Sequence, residues 1–312
     1  MDDGGLYMKD FAADTIPIDV NFLGRPQAIA ACLLRSPSAL AVIDPGPEST
    51  LPALRAGLAA QGVSVSDLDA ILLTHIHFDH AGATGTLVRE NPRLAVHVHE
   101  KGAPHMADPT KLLTSAGRLY GDAMHKLYGE FVPVPAENLR VLKGGEKLSI
   151  GSRDLNVLYT PGHASHHVSY IDGARGIAFV GDTAGIRIAG RPFVMPVTPP
   201  PDIDLETWQV SVAIIRSLQP DILFVTHFGF AGDPPNHLSE HMTRLEWWAD
   251  LVHESLQNGG DDAARSKQFV DRASEDMRSR LSEEETHNYA NTGGLGLSWL
   301  GLARYWRKRQ PQ

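Results

Sequence analysis

Residues 71–80 read Ile-Leu-Leu-Thr-His-Ile-His-Phe-Asp-His, an aliphatic run that ends in three histidines and one carboxylate. His75 and His77 alternate, so extended backbone points both imidazoles the same way, while Asp79 and His80 fall on the turn into a following helix. One loop can therefore address two neighbouring points in space. Imidazole is a common ligand of zinc and iron, and a carboxylate among imidazoles suits a hard or borderline divalent cation. The composition is that of half a two-metal site.

Other ligand-type residues stand where apolar runs stop. Asp44 follows residues 40–43, His163 lies in Thr-Pro-Gly-His after residues 156–159, Asp182 follows Gly181 after residues 177–180, and His227 follows Thr226 after residues 222–225. Any one of these alone is an ordinary cap or turn residue. Together they share the C-terminal ends of strands, where open α/β architectures build their sites. Two ions a few Å apart would lower the pKa of a bound water from ~15.7 towards ~7 and polarise a substrate oxygen, so no Ser or Cys nucleophile is required. Asp79 and Asp182 are the catalytic candidates, as groups able to pass a proton to the leaving group. His97 and His99 are read as plain strand side chains. His237 and His241 have helical i, i+4 spacing, but the glutamate does not follow the first histidine as in HExxH, so a third metal site is not expected there.

The positioning elements follow from the hydrophobic pattern. Strands are expected over residues 16–22, 28–34, 40–43, 71–73, 94–98, 139–142, 147–150, 155–160, 167–171, 176–180 and 222–225. Helices are expected after a Ser49 or Thr50 cap, over 81–89, continuously over 101–131 despite Gly117 and Gly121, and over 204–218. The β-then-helix order recurs in both halves and hints at an internal pseudo-repeat. Beyond residue 232 three helices are expected, over 235–257, 262–281 and 294–309.

These residues resemble the metallo-β-lactamase-fold hydrolases, and within them the glyoxalase II-like branch. The HxHxDH motif appears as His75, His77, Asp79 and His80; the later single histidine matches His163, the bridging aspartate Asp182, the last histidine His227, and the early supporting aspartate Asp44, over about residues 16–230. The resemblance implies an α/β fold, a four-layer αβ/βα sandwich with appended C-terminal helices. It divides the chain into a catalytic domain, 1–232, and a helical extension, 233–312. It further implies one ion on His75, His77 and His163, a second on Asp79, His80 and His227, and Asp182 with a hydroxide between them. Asp44 and His167 would support the ligands from behind. Zinc is the first expectation for both ions, with iron or manganese open, because His/Asp sites accept all three.

Departures from the pattern limit the substrate. After Asp182 the chain runs Thr-Ala-Gly-Ile-Arg, without the nearby tyrosine of the similar acyl-homoserine lactonases, and the basic C-terminal set that binds glutathione in glyoxalase II is not evident. The expected reaction is hydrolysis of an ester, lactone or thioester of a small molecule. Phosphodiester hydrolysis on the same two metals is the alternative, and a mono-iron oxygenase similar to persulfide dioxygenases is the rival from another class. A silent binding module would have no need of the intact ligand set.

Composition narrows the setting. The 312 residues are 42% hydrophobic and carry a formal charge of −9, which disfavours an extended nucleic-acid partner. A single cysteine, Cys32, excludes an intrachain disulfide. The acidic N-terminus lacks an apolar leader and no stretch reaches membrane-span length, so a cytoplasmic protein with no membrane partner is expected. The apolar last helix is expected to mediate a homodimer or to roof the pocket. Its basic end, Arg304, Arg307, Lys308 and Arg309, complements a helix dipole.

Overall fold

The computed structural model describes residues 13–188, 191 and 193–309. The acidic start of the chain and Pro192, the first residue of the proline-rich segment, lie outside the described residues. The chain forms two compact units, each with its own set of the residues singled out above: one runs up to Tyr159 and adds Val168–Phe179, the other comprises Thr160–His167 and the chain from Val180 onward. The expected 232/233 boundary lies inside the second unit.

The first unit opens with β1 (Thr15–Asp19), β2 (Ala30–Ser36) and β3 (Ala39–Ile43), which pair antiparallel in that order. The next strands, β4 (Ala70–Leu72), β5 (Ala95–His99) and β6 (Leu139–Leu142), extend the same sheet in parallel. Parallel neighbours need crossover helices, and Leu51–Ala60 and Thr84–Glu90 supply them. Leu54 and Leu58 of the first and Leu87 of the second pack with Ile71, Val96 and Val98 in one buried core. Thr50 occupies the expected cap position, but its hydroxyl turns back to the carbonyl of Pro47 instead of capping the helix.

The second set of strands is antiparallel: β7 (Lys147–Ile150), β8 (Arg153–Tyr159), β9 (Val168–Asp172) and β10 (Ile177–Phe179). Arg153, wholly buried, is matched by Asp172, whose carboxylate accepts two of its N–H groups at 3.0 and 2.8 Å. The pair is fully desolvated and is extended by Asp14 beside Arg153 at 3.6 Å and Arg175 beside Asp172 at 3.4 Å, so the buried charges are offset within a small network.

One expected helix is broken. Residues 101–131 form three short helices, Ala103–Ala107, Thr110–Tyr120 and Ala123–Tyr128, interrupted at Asp108-Pro109 and at Gly121, which takes φ 51°. The proline lacks a donor and the glycine adopts a conformation that ends a helix, so the continuous apolar face read from the sequence is divided.

In the second unit, β11 (Ile222–Val225) and β12 (Gly229–Ala231) form a hairpin. Helix Leu205–Ser217 is capped by Asp204, which accepts from the Thr207 N–H. Four helices close the chain: Pro234–Gln257, Asp262–Arg278, Glu283–Gly293 and Leu295–Arg307. Only three were expected, because polar residues dominate 283–293. The last helix buries Trp299, Leu302 and Tyr305 against its own unit, with Trp306 donating to the Ala249 carbonyl at 2.8 Å. Its basic end pairs with acids on neighbouring elements, Arg307 with Asp262 and Arg309 with Glu206. Among the described residues no helix is long and apolar enough to cross a membrane.

Candidate metal centre

The first cluster is assembled by the register of β3 and β4. Ile43 stands beside Leu72, so Asp44 leaves its strand level with Leu73 and its carboxylate reaches Thr74, one residue further on. Asp44 takes φ 46°, a turn that Asp tolerates better than most residues. Its N–H donates to the Leu72 carbonyl at 3.1 Å. Its carboxylate then accepts from the Thr74 N–H at 2.8 Å, the Thr74 hydroxyl at 2.7 Å and His80 Nδ1 at 2.8 Å. A buried carboxylate is satisfied in this way, and the histidine is fixed with its proton on Nδ1 and its Nε2 lone pair turned outward.

The histidines converge. His75 Nε2 lies 3.0 Å from His77 Nδ1, and the rings of His75 and His80 are 4.0 Å apart at their centroids. Two nitrogens on one tetrahedral ion at ~2.0–2.1 Å would be separated by roughly 3.3 Å, so this spacing suits shared coordination. Asp79 and His80 occupy the first turn of a helix that begins at Phe78, earlier than expected, and Asp79 Oδ2 is 3.9 Å from His80 Nε2. His75 and His80 are fully buried, whereas the Asp79 side chain keeps 27% of its exposure. Asp79 is thus the carboxylate of this cluster that solvent reaches. His99, outside the cluster, stacks on Tyr159.

The second unit holds the remaining candidates. Asp182 lies in a single turn, Gly181–Ala184, and turns one carboxylate oxygen towards each of two histidines: Oδ2 is 3.5 Å from His163 Nε2 and Oδ1 is 3.6 Å from His227 Nε2. These separations exceed hydrogen-bond length and lie close to the edge of a coordination polyhedron. His163 Nδ1 donates to the Val197 carbonyl at 2.8 Å, which again leaves Nε2 facing inward. Trp208 meets the His163 ring edge-on and donates its indole N–H to the Thr183 carbonyl at 2.8 Å. His167 Nδ1 lies 3.0 Å from the Thr160 hydroxyl and 3.2 Å from that of Thr183, tying the His163 turn to the residue after Asp182.

Several supporting residues escaped the sequence reading. Thr74 was visible only as part of the motif, and the Val197 carbonyl carries no sequence signal at all. His237 and His241 are both buried. His237 Nε2 donates to the Ala184 carbonyl at 2.8 Å, while His241 packs over Gly185 and lies 5.4 Å from the Trp208 ring. Burial holds both imidazoles neutral, with pKa values lowered to about 4 and about 3.

Comparison with known proteins fits this geometry. The family model described as the metallo-beta-lactamase superfamily matches residues 24–227. The chain is 30% identical over 180 residues to the metallo-beta-lactamase fold-containing protein ST1585 of Sulfurisphaera tokodaii, covering 57% of this chain and 66% of that one. It is 29% identical over 126 residues to a hydroxyacylglutathione hydrolase of Legionella pneumophila, covering 40% and 37%. The matches thus span less than two thirds of these relatives' own lengths. A metallo-beta-lactamase family protein from Thermus thermophilus, TTHA1429, shares the fold at TM-score 0.70 and 20% identity, over 95% of this chain and 93% of that one. The α/β architecture is therefore the αβ/βα sandwich of that fold with C-terminal helices appended, and candidate His/Asp ligand groups imply divalent metal. The chain belongs to the metallo-beta-lactamase superfamily.

Proposed function

We propose that the two clusters share two divalent ions, with His75, His77 and His163 on one, Asp79, His80 and His227 on the other, and Asp182 common to both. The reaction is hydrolysis of an ester, lactone or thioester carbonyl in a small substrate. The observation that carries this reading is the Asp182 carboxylate, whose two oxygens each face a different imidazole Nε2 at 3.5 and 3.6 Å. A carboxylate serving one partner would bring both oxygens, or the nearer one, within hydrogen-bond range. The donor set fits the metals. It is imidazole and carboxylate without thiolate, and His80 and His163 have their other ring nitrogens tied to Asp44 and Val197, as ligating histidines require. Zinc is the ion we assign, since four-coordinate His/Asp sets suit it.

When bound, such ions supply an activated water and an electrophile for the carbonyl. The chain's own contribution is to place the donors and to manage charge and protons. Asp182 would offset part of the charge of the bound cations with its carboxylate. Asp79, at the exposed edge of its cluster, is the group placed to take a proton and return it to the leaving group at its carboxylate oxygen. The acidic balance of the chain favours a small substrate over a polyphosphate chain. The test is turnover of activated esters, lactones, thioesters and phosphodiesters by zinc-loaded protein, before and after chelation. Carbonyl substrates turned over, lost with the metal and restored by zinc, are the expected result; turnover confined to phosphodiesters would refute the substrate class.

A further inference from the structure

The segment between Asp182 and Pro199 begins at one candidate ligand and ends on the support of another. It leaves Asp182, closes on itself through the bridge between Ile186 and Met195, and returns to Val197, whose carbonyl orients His163. The two ends of this segment thus carry the Asp182 carboxylate and the support of His163.

Its restraints come from the C-terminal helices of the same unit. The Tyr289 hydroxyl, wholly buried, accepts from the Ile188 N–H at 3.0 Å and donates to the Phe193 carbonyl at 2.7 Å, so one group fastens both sides of the loop. Arg244 donates to the Val194 carbonyl and lies 3.9 Å over the Phe193 ring. At the far end the last helix touches the loop backbone at Gly301. A Cβ there would stand 2.0 Å from the Thr198 carbonyl oxygen and 2.8 Å from the Pro199 carbonyl carbon, so no side chain fits. One turn earlier, the Ser298 carbonyl accepts from the Thr198 hydroxyl at 3.3 Å.

From these contacts we infer that Tyr289 and Gly301 are positioning residues of the metal centre, through which the helical extension sets the placement of Asp182 and the direction of His163. The inference rests on the reading of those two residues as ligands. Groups that orient ligands from behind change metal affinity by roughly 10–100-fold when removed. A helix that only stabilised the fold would change stability and leave affinity alone.

The experiment is cobalt(II) binding to the full chain by competition with a chelator, with the visible ligand-field spectrum recorded beside the thermal midpoint of the metal-free protein. Tyr289→Phe keeps the ring packed 5.3 Å from Phe193 and removes only the hydroxyl. Gly301→Ala tests the second contact. Phe269→Leu, a packing change in the ring pair with Trp248, is the control for stability alone. The expected result is a cobalt affinity lowered about 10–100-fold with an altered spectrum for Tyr289→Phe, and wild-type affinity and spectrum for Phe269→Leu even where its midpoint falls as far. Wild-type affinity and spectrum in Tyr289→Phe would overturn the inference, as would an equal loss in Phe269→Leu. Wild-type protein that takes up no cobalt would instead overturn the ligand reading beneath it.

Discussion

At the scale of single residues, Asp182 and Asp44 are both buried carboxylates with different work to do. Asp182 meets two imidazoles at ligand-edge distance, whereas Asp44 is saturated by three donors at 2.7–2.8 Å. Asp182→Asn should therefore empty one metal position and lower turnover by orders of magnitude, while Asp44→Asn should weaken metal binding by about 10–100-fold with both positions still fillable at high zinc. Metal titration of the two variants distinguishes these outcomes, and equal losses would contradict the assignment. His237 and His241 make a second prediction. Burial lowers both pKa values below the ordinary 6.5, so the native chain keeps them neutral while the unfolded chain takes up protons. Their contribution is intact above pH 6.5 and is lost as pH falls towards their native values of about 4 and about 3. Each costs about 1.4 kcal/mol per pH unit inside that window. Urea unfolding of the metal-free chain from pH 7.5 to 4.5 should show His241→Leu losing stability less steeply than wild type; parallel slopes would contradict it.

At the scale of elements, the turn before His163 is exacting. Gly162 takes φ 139°, and a Cβ there would lie 2.3 Å from the Trp208 Cα. Gly162→Ala meets both backbone strain and a backbone clash, so the expected outcome is a loss of at least about 3 kcal/mol in denaturant unfolding, with metal binding impaired. The motifs around the site were legible because each ligand stands at the end of an apolar run, and apolar runs are local. Residues 222–225 and 147–150 became strands over the bounds read from the sequence. Elsewhere local signals misled. The apolar spacing over 101–131 hid the breaks at Pro109 and Gly121. The helix Glu283–Gly293 was missed although Ser282 and Glu285 form a capping box ahead of it. The supports were illegible for a different reason. The Val197 carbonyl reaches His163 across 34 residues and Tyr289 reaches Phe193 across 96, and no pattern in a linear chain marks such a pairing.

At the scale of the whole chain, the last helix was expected to pair with a second copy or to roof the pocket; Trp299, Leu302 and Tyr305 of that helix are buried, while Leu300 stays 40% exposed. Deletion from Ser282 onward removes Tyr289 and Gly301 with those side chains, and the expected outcome is loss of metal uptake and of cooperative unfolding together, measured by elemental analysis and calorimetry. The central claim is that one chain holds two ions for hydrolysis. Its most direct test is metal content per chain after loading and removal of free metal, paired with turnover of a carboxyl-ester panel under strict exclusion of oxygen. The account predicts two ions per chain and undiminished hydrolysis without oxygen; one iron per chain, with turnover of a thiol persulfide only when oxygen is present, would contradict it.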